Sequence, residues 1–284
     1  MGTYLSSIGR VTAPAQTSRA ALLPRLQSVF REAVAKTRFY RSMGDLANDG
    51  ANLEFLQELP KVELVDFLKH GNRFENTAKF ADRKRQFIHP SGQQPRTALV
   101  AEGFEWSWKY TRIPDYRSPR LAAIKAQSIA GSVDTLRALA RNIESGYIWI
   151  PKLKHSVVAF SGMLEGPVSA ADLDLFWKVF EVPVYEQFYG FGGELIAHEC
   201  PAHQGMHVNR YAAVFENGGR GDLLVSLIGN PAQMVFRLVS GLSGQVETGH
   251  CGCGYEGPRI VNVARRTAVL RESRPHIVAM AVAG

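Results

Sequence analysis

The chain is 284 residues long, is 45% hydrophobic and carries a formal net charge of +7. That length and apolar content suit a globular protein with one large core or two small ones and exclude a low-complexity chain. No apolar run approaches the roughly eighteen residues a membrane-spanning helix needs, and three cysteines are the wrong number for a disulfide framework.

Residues 1–19 are expected to form a flexible start. The first part of the chain is free of acids and holds Arg10, Arg19 and Arg25, a composition shared by organelle transit sequences and by frayed bacterial termini. Met1 to Ser6 also fits the short myristoylation pattern. From Ala20 to Phe39 the apolar residues Leu22, Leu23, Leu26, Val29, Phe30, Ala33 and Val34 recur at helical spacing, which predicts an amphipathic helix. Pro60 followed by Lys61 to Leu68 reads as a turn into a second, short helix. Lys79, Arg83, Lys84 and Arg85, with Phe80 and Phe87 interleaved, form the one basic cluster that invites a nucleic-acid reading. A solvated helical face explains it equally well, because the other basic residues are scattered among acids. Nucleic acid is therefore not the expected partner, and neither is a membrane.

Ser132 is a good N-cap for a third helix that carries Leu136, Leu139, Ala140 and Ile143 and stops at Gly146. A βαβ unit follows. Val157 to Phe160 is a buried strand, Ser169 with Asp172 starts a helix in the manner of a capping box, and Val184 to Phe188 is the next strand. Such a crossover makes a parallel sheet. Further on the period changes to two in Ala212–Phe215, Leu223–Leu227 and Val235–Leu238, which predicts antiparallel or mixed sheet. The expected fold class is α/β: a parallel βαβ core plus a mixed or antiparallel sheet, one domain over residues 20–265, and a short tail over 266–284.

All three cysteines belong to one constellation. Residues 198–207 hold Cys200, His203 and His207, and residues 250–254 hold His250, Cys251 and Cys253. Zinc takes four thiolate or imidazole ligands in a tetrahedron, and two short turns separated by a β-rich excursion can supply them. Cys251 and Cys253 are too close in sequence to pair comfortably with each other. The metal candidates are thus Cys200, Cys251, Cys253 and one of His203 and His207, with His250 a more distant choice. If a strand begins near Met206, His207 points to one of its faces while His203 sits in the turn beside Cys200. Four protein ligands leave no position for substrate, so the expected role of the ion is scaffolding.

Several segments together resemble the phenylacetate-CoA ligase branch of the adenylate-forming enzymes. Thr37 to Arg41 is similar to that branch's "pfYr" helix end, Leu59-Pro60-Lys61 to its "LPxxxK" step, and Ile129 to Ser132 to the start of its "xxGxPSxLxxLA" segment. Tyr189-Gly190-Phe191-Gly192-Gly193-Glu194 resembles the "YGxTE" motif, and Glu199 to His207 with Cys251 to Gly254 resembles the branch's zinc-bearing version. The match runs over roughly residues 20–265. It implies the fold of the amino-terminal domain of these enzymes and activation of a carboxylic acid, aromatic in this branch, through an acyl-adenylate to a CoA thioester. It also implies zinc, ATP with magnesium, and CoA as ligands. Ser91, Gly92, Tyr189, Gly190, Glu194 and Arg237 are the nucleotide-site residues carried over.

Departures from the pattern set a second expectation. Pro90-Ser91-Gly92-Gln93-Gln94-Pro95-Arg96-Thr97 is shorter than "SGTTGxP" and places glutamines where hydroxyls should wrap a triphosphate. Arg237 to Leu242 stands where the family has "RYxTGD", and Leu242 cannot accept the ribose hydroxyls as aspartate would. The lost acceptor is worth about 2 to 3 kcal/mol of nucleotide affinity. The segment between residues 97 and 129 is shorter than the family's, and the residues after Arg266 are too few for the mobile, lysine-bearing carboxy-terminal domain. The chain is accordingly expected to adenylate poorly or not at all on its own. The alternatives are a zinc-stabilised pseudoenzyme that serves as a binding or partner module for a complete ligase or a separate carboxy-terminal domain, and a basic zinc-containing nucleic-acid binder. A cytoplasmic location is expected.

Overall fold

The computed structural model describes residues 19–47, 55–76, 85, 87–104 and 109–266. The expected flexible start, the transit and myristoylation patterns, all of the tail except Arg266, and Lys79, Phe80, Arg83 and Lys84 lie outside the described residues. Among the described residues the strands join into one twelve-stranded sheet. Its parallel half comprises β2 (Thr97–Val100), β3 (Tyr110–Arg112), β4 (Ser128–Ser132), β5 (Ser156–Gly162) and β6 (Val184–Tyr189), in the order β3-β2-β4-β5-β6. The sheet then turns antiparallel through β7 (Leu195–His198), β8 (Met206–Val208), β12 (Glu256–Arg265), β11 (Val235–His250), β10 (Asp222–Leu227) and β9 (Ala213–Asn217). The short β1 (Val62–Glu63) pairs parallel to β11.

The helices are α1 (Arg19–Lys36), α2 (Phe55–Glu58), α3 (Leu64–Lys69), α4 (Arg120–Ala123), α5 (Val133–Glu144) and α6 (Ala170–Phe180). α1 ends three residues before the expected Phe39, because the Thr37 hydroxyl donates back to the Ala33 carbonyl at 2.7 Å and a turn follows. The segment after Pro60 enters its helix through β1, where β-branched Val62 is captured by Leu238 of β11.

The βαβ unit folds as its sequence dictates. β5 is buried along its whole length, with Val157 and Ala159 facing α5 and α6 while Val158 and Phe160 face Leu99, Phe104 and Tyr189 on the other side. A strand covered on both faces has to be an unbroken apolar run. Ser169 caps α6 by accepting from the Asp172 N–H at 3.1 Å and donating its hydroxyl to the Asp172 carboxylate at 2.6 Å. Asp172 also receives Arg137 of α5, Nε at 2.6 Å and Nη2 at 2.9 Å, so a single carboxylate fixes both the helix start and the α5–α6 pairing. The antiparallel half buries its own core beneath α1 and α3, built on Phe30, Tyr40, Phe67, Phe236 and Leu242. β6 and β7 are joined by the turn that carries Gly190 to Glu194, and β7 carries the chain back toward the start of β6, where the cysteine and histidine turn begins.

Candidate metal centre

β7 and β8 are hydrogen-bonded neighbours, with His198 opposite His207, and β12 lies on the far side of β8, with Arg259 opposite His207. This register places His207 over the tight turn that joins β11 to β12. That turn closes through Cys251 N–H to the Tyr255 carbonyl at 2.9 Å and Gly254 N–H to the Cys251 carbonyl at 2.8 Å. Gln204 ties the two turns together, accepting the Gly252 N–H at 2.9 Å on its side-chain oxygen. Ligand atoms of Cys200, His207, Cys251 and Cys253 consequently all lie within 4.8 Å of one another. The Cys200 and Cys251 sulfurs are 3.6 Å apart, and Cys253 Sγ is 3.7 Å from His207 Nε2. A tetrahedron with metal–sulfur bonds of about 2.3 Å has edges of about 3.8 Å, so both separations suit a shared ion.

The electrostatics suit it too. Burial pushes the Cys200 thiol up to about 12, whereas backbone and thiol hydrogen bonds outweigh burial at Cys251 and pull that thiol down. The two sulfurs are within hydrogen-bond reach of each other, and a cation would displace the protons the thiols carry. Burial, with His198 and Arg259 beside it, lowers His207 to about 4, leaving a neutral imidazole. The ring stacks on Tyr255 with centroids 4.2 Å apart. This Cys3His cluster could hold a metal ion.

His203 is not part of it. Its backbone sits at φ 49 in the turn after Cys200, its ring stacks on Tyr185 at 5.0 Å, and its Nδ1 stands 3.9 Å from Glu199 Oε1. His250 is turned outward and pairs with Glu256 at 3.0 Å. The choice between His203 and His207 was open from spacing alone, since only the pairing of β8 aims His207 inward. Gln204 and His198, whose ring lies 5.5 Å from that of His207, were missed and have no distinctive sequence signal.

The six nucleotide-site candidates fall in three separate places. Ser91 and Gly92 sit at the amino-terminal edge of the parallel strands. His89 bridges Ser91 Oγ at 2.8 Å and Ser156 Oγ at 2.9 Å, Ser156 reaches Ser128 at 2.9 Å, and His155 joins Ser156 to Gln93 at 3.2 and 2.9 Å. The glutamine that departs from the family loop is thus a partner of His155. Burial, reinforced by His155, lowers His89 to about 4.

Tyr189, Gly190 and Glu194 lie at the opposite edge. Tyr189 pairs with Gly162, the last residue of β5, whereas Ser156 is its first. About 20 Å of strand separates the two, at about 3.3 Å per residue. The Tyr189 ring is 3% exposed and packs with Phe104 and Phe160, and the Arg85 guanidinium lies over it at 5.8 Å. Phe87 of the basic cluster likewise packs inward, on Tyr110 and Phe160. The Glu194 carboxyl is folded back into its own turn. A Cβ on Gly190 would collide with Glu194 Oε1, and one on Gly192 with Asn230 Nδ2. Burial raises this carboxyl to about 7, and its Oε2 is buried without a hydrogen-bond partner.

Arg237 occupies the third place. Its Nη1 donates to the carbonyls of Gln57 and Leu59 at 2.7 and 2.9 Å, and Nε faces Glu216 at 3.4 Å, so it ties α2 to β11. Leu242, the residue at the ribose-aspartate position, is 1% exposed in the core. The residues expected to share ATP and magnesium therefore do not converge on one site. Among the described residues, no helix is long and apolar enough to cross a membrane.

Comparison with solved structures gives the fold a name. Three structures of 2-hydroxyisobutyryl-CoA ligase are similar to this chain. The one in the postadenylation state with R3-HIB-AMP has a TM-score of 0.69 at 16% identity, covering 93% of this chain and 72% of that one. The open conformation with 2-HIB-AMP and CoA gives 0.65 at 16%, covering 90% and 73%, and the thioesterification state gives 0.64 at 15%, covering 93% and 73%. No family model matches the chain, and no curated protein matches it. At these identities the likeness is one of fold: the chain has the α/β fold of adenylate-forming acid:CoA ligases.

Proposed function

We propose that this chain is a zinc-clipped relative of the acid:CoA ligases, of the phenylacetate-CoA ligase kind, that does not adenylate a carboxylic acid on its own. The dispersal of the nucleotide residues carries this reading. Ser91 and Gly92 are committed to the His89–Ser156 chain at one edge of the sheet, and Glu194 is folded into its turn at the other. Positioning of both ends of a triphosphate is what phosphoryl and adenylyl transfer demand of a protein, and strand-length separation defeats it. Zinc would be held by Cys200, His207, Cys251 and Cys253, joining β8 to the β11–β12 turn and stabilising the fold. ATP/pyrophosphate exchange across a panel of aromatic and aliphatic acids tests the reading. The expected result is exchange at the level of a no-protein control, and robust turnover with any acid would overturn it.

A second reading, a partner module for a complete ligase, is favoured by Tyr147 and Trp149, which stand 83% and 74% exposed just beyond α5. Exposed aromatic side chains of this size are enriched where proteins meet.

A further inference from the structure

Between α6 and the turn that leads to Cys200 lies a cleft of about 390 Å³, away from the nucleotide-site candidates. One wall is apolar, formed by Leu173 and Trp177 at i, i+4 spacing on α6 together with Pro183 and Val184. Trp177 is 59% exposed. The other wall is polar, with Glu186 on β6, Glu199 and His203, and Asp174 stands at the rim. No lysine or arginine lines the cleft, and its one basic side chain, His203, stands with Nδ1 3.9 Å from Glu199 Oε1. Lys178, on the same helix as Leu173 and Trp177, is paired with Glu144 at 2.7 Å, and Lys152 is paired with Glu181.

Glu186 is the decisive residue. It is 8% exposed in a buried strand, a place where an unpaired carboxylate is costly. Its Oε1 is held by the Ser161 hydroxyl and by the Val168 N–H at 3.1 Å, while no protein group donates to Oε2. Glu199 is oriented beside it, since Glu199 Oε2 accepts the Glu186 N–H at 2.9 Å and the Glu199 N–H returns to the Glu186 carbonyl at 2.9 Å. The Glu186 carboxyl is fixed in position by these donors, burial raises it to about 7, and its remaining oxygen has no hydrogen-bond donor among the described residues.

We propose that this cleft binds a small organic ammonium ion, its charged head on Glu186 and Glu199 and its apolar body against Leu173 and the Trp177 indole. The acids supply charge complementarity in a half-buried setting, where an ion pair counts for more than on an open surface. Trp177 adds apolar area and the ring face that cations favour most. The volume falls within the range of small-molecule sites.

The test is calorimetric titration of the purified chain with phenethylammonium chloride, with neutral 2-phenylethanol as its isosteric control. One-to-one binding of phenethylammonium at least about tenfold tighter than of 2-phenylethanol is expected. Glu186→Gln, which keeps the acceptor for Ser161 and Val168, should weaken phenethylammonium binding at least about tenfold and leave 2-phenylethanol unchanged. Trp177→Ala, a change at an exposed position that does not threaten folding, should weaken both ligands. Equal affinity for the two ligands, no binding of phenethylammonium, or indifference to either substitution would overturn the proposal. Tighter binding of N-acetyl-lysine methylamide than of phenethylammonium would reassign the cleft to a protein's lysine and overturn it as well. Because the cleft shares no residue with the nucleotide-site candidates, its failure leaves the functional reading standing, and the reverse holds.

Discussion

At residue scale the metal centre separates two histidines that spacing alone treats alike. His207 is buried on β8 within reach of Cys253 Sγ, and His203 is stacked on Tyr185 outside the cluster. Replacing His207 with alanine should strip the ion and lower the melting temperature, whereas His203→Ala should retain both, as read by metal analysis and thermal unfolding of the two variants side by side. The expected loss is large, because binding of a structural zinc is folding free energy. Metal retained by His207→Ala and lost by His203→Ala would reverse the assignment. Leu242 illustrates a different lesson. The sequence comparison marks it only as a missing aspartate, but in the fold it is part of the apolar core beneath α1. A carboxylate there would be buried without a partner.

At the scale of elements, the α5–α6 pair depends on Asp172, which accepts the hydroxyl of the α6 cap Ser169 and grips Arg137. The Arg137 guanidinium beside it holds the Asp172 carboxyl below its ordinary range. A group depressed in the folded state stabilises above its unfolded pKa and loses that contribution as pH falls through the folded value. Asp172→Asn should therefore cost about 2 kcal/mol near neutral pH, the loss of a partly exposed charge-assisted pair with Arg137 and of the charged acceptor for the Ser169 hydroxyl. The difference from the unsubstituted protein should vanish as the pH is taken below the carboxylate range. Denaturant unfolding at several pH values checks this, and a cost that persists in strong acid would contradict it.

The elements of the βαβ unit and the helix before it were legible beforehand. β5, β6, α5 and α6 announce themselves by apolar runs and by the Ser132 and Ser169 caps, and the structure places each within two residues of expectation. β12 and the outer half of β11 were not legible, because Glu247 pairs with Arg259, Thr248 with Pro258 and His250 with Glu256 across a ribbon that requires no apolar alternation. β2 and β3 are too short to stand out from the loops around them. Glu186 did carry a signal, a charge inside the strand Val184–Phe188, which marks the cleft described above.

At the scale of the whole molecule, the sheet runs unbroken from the parallel half into the antiparallel half, and the metal cluster lies where β7, β8 and the β11–β12 turn meet. The fold class was readable from short motifs, and the structure bears that fold out. How those motifs lie relative to one another was not readable, because the distance between Ser91 and Glu194 is set by which edge of the sheet each loop reaches. The reading rests on a ligase fold that is retained while its nucleotide residues are parted. Isothermal titration of the metal-loaded protein with ATP and magnesium tests this most directly. No saturable binding below about 1 mM is expected. One-to-one binding with a dissociation constant of about 10 μM or tighter would contradict it.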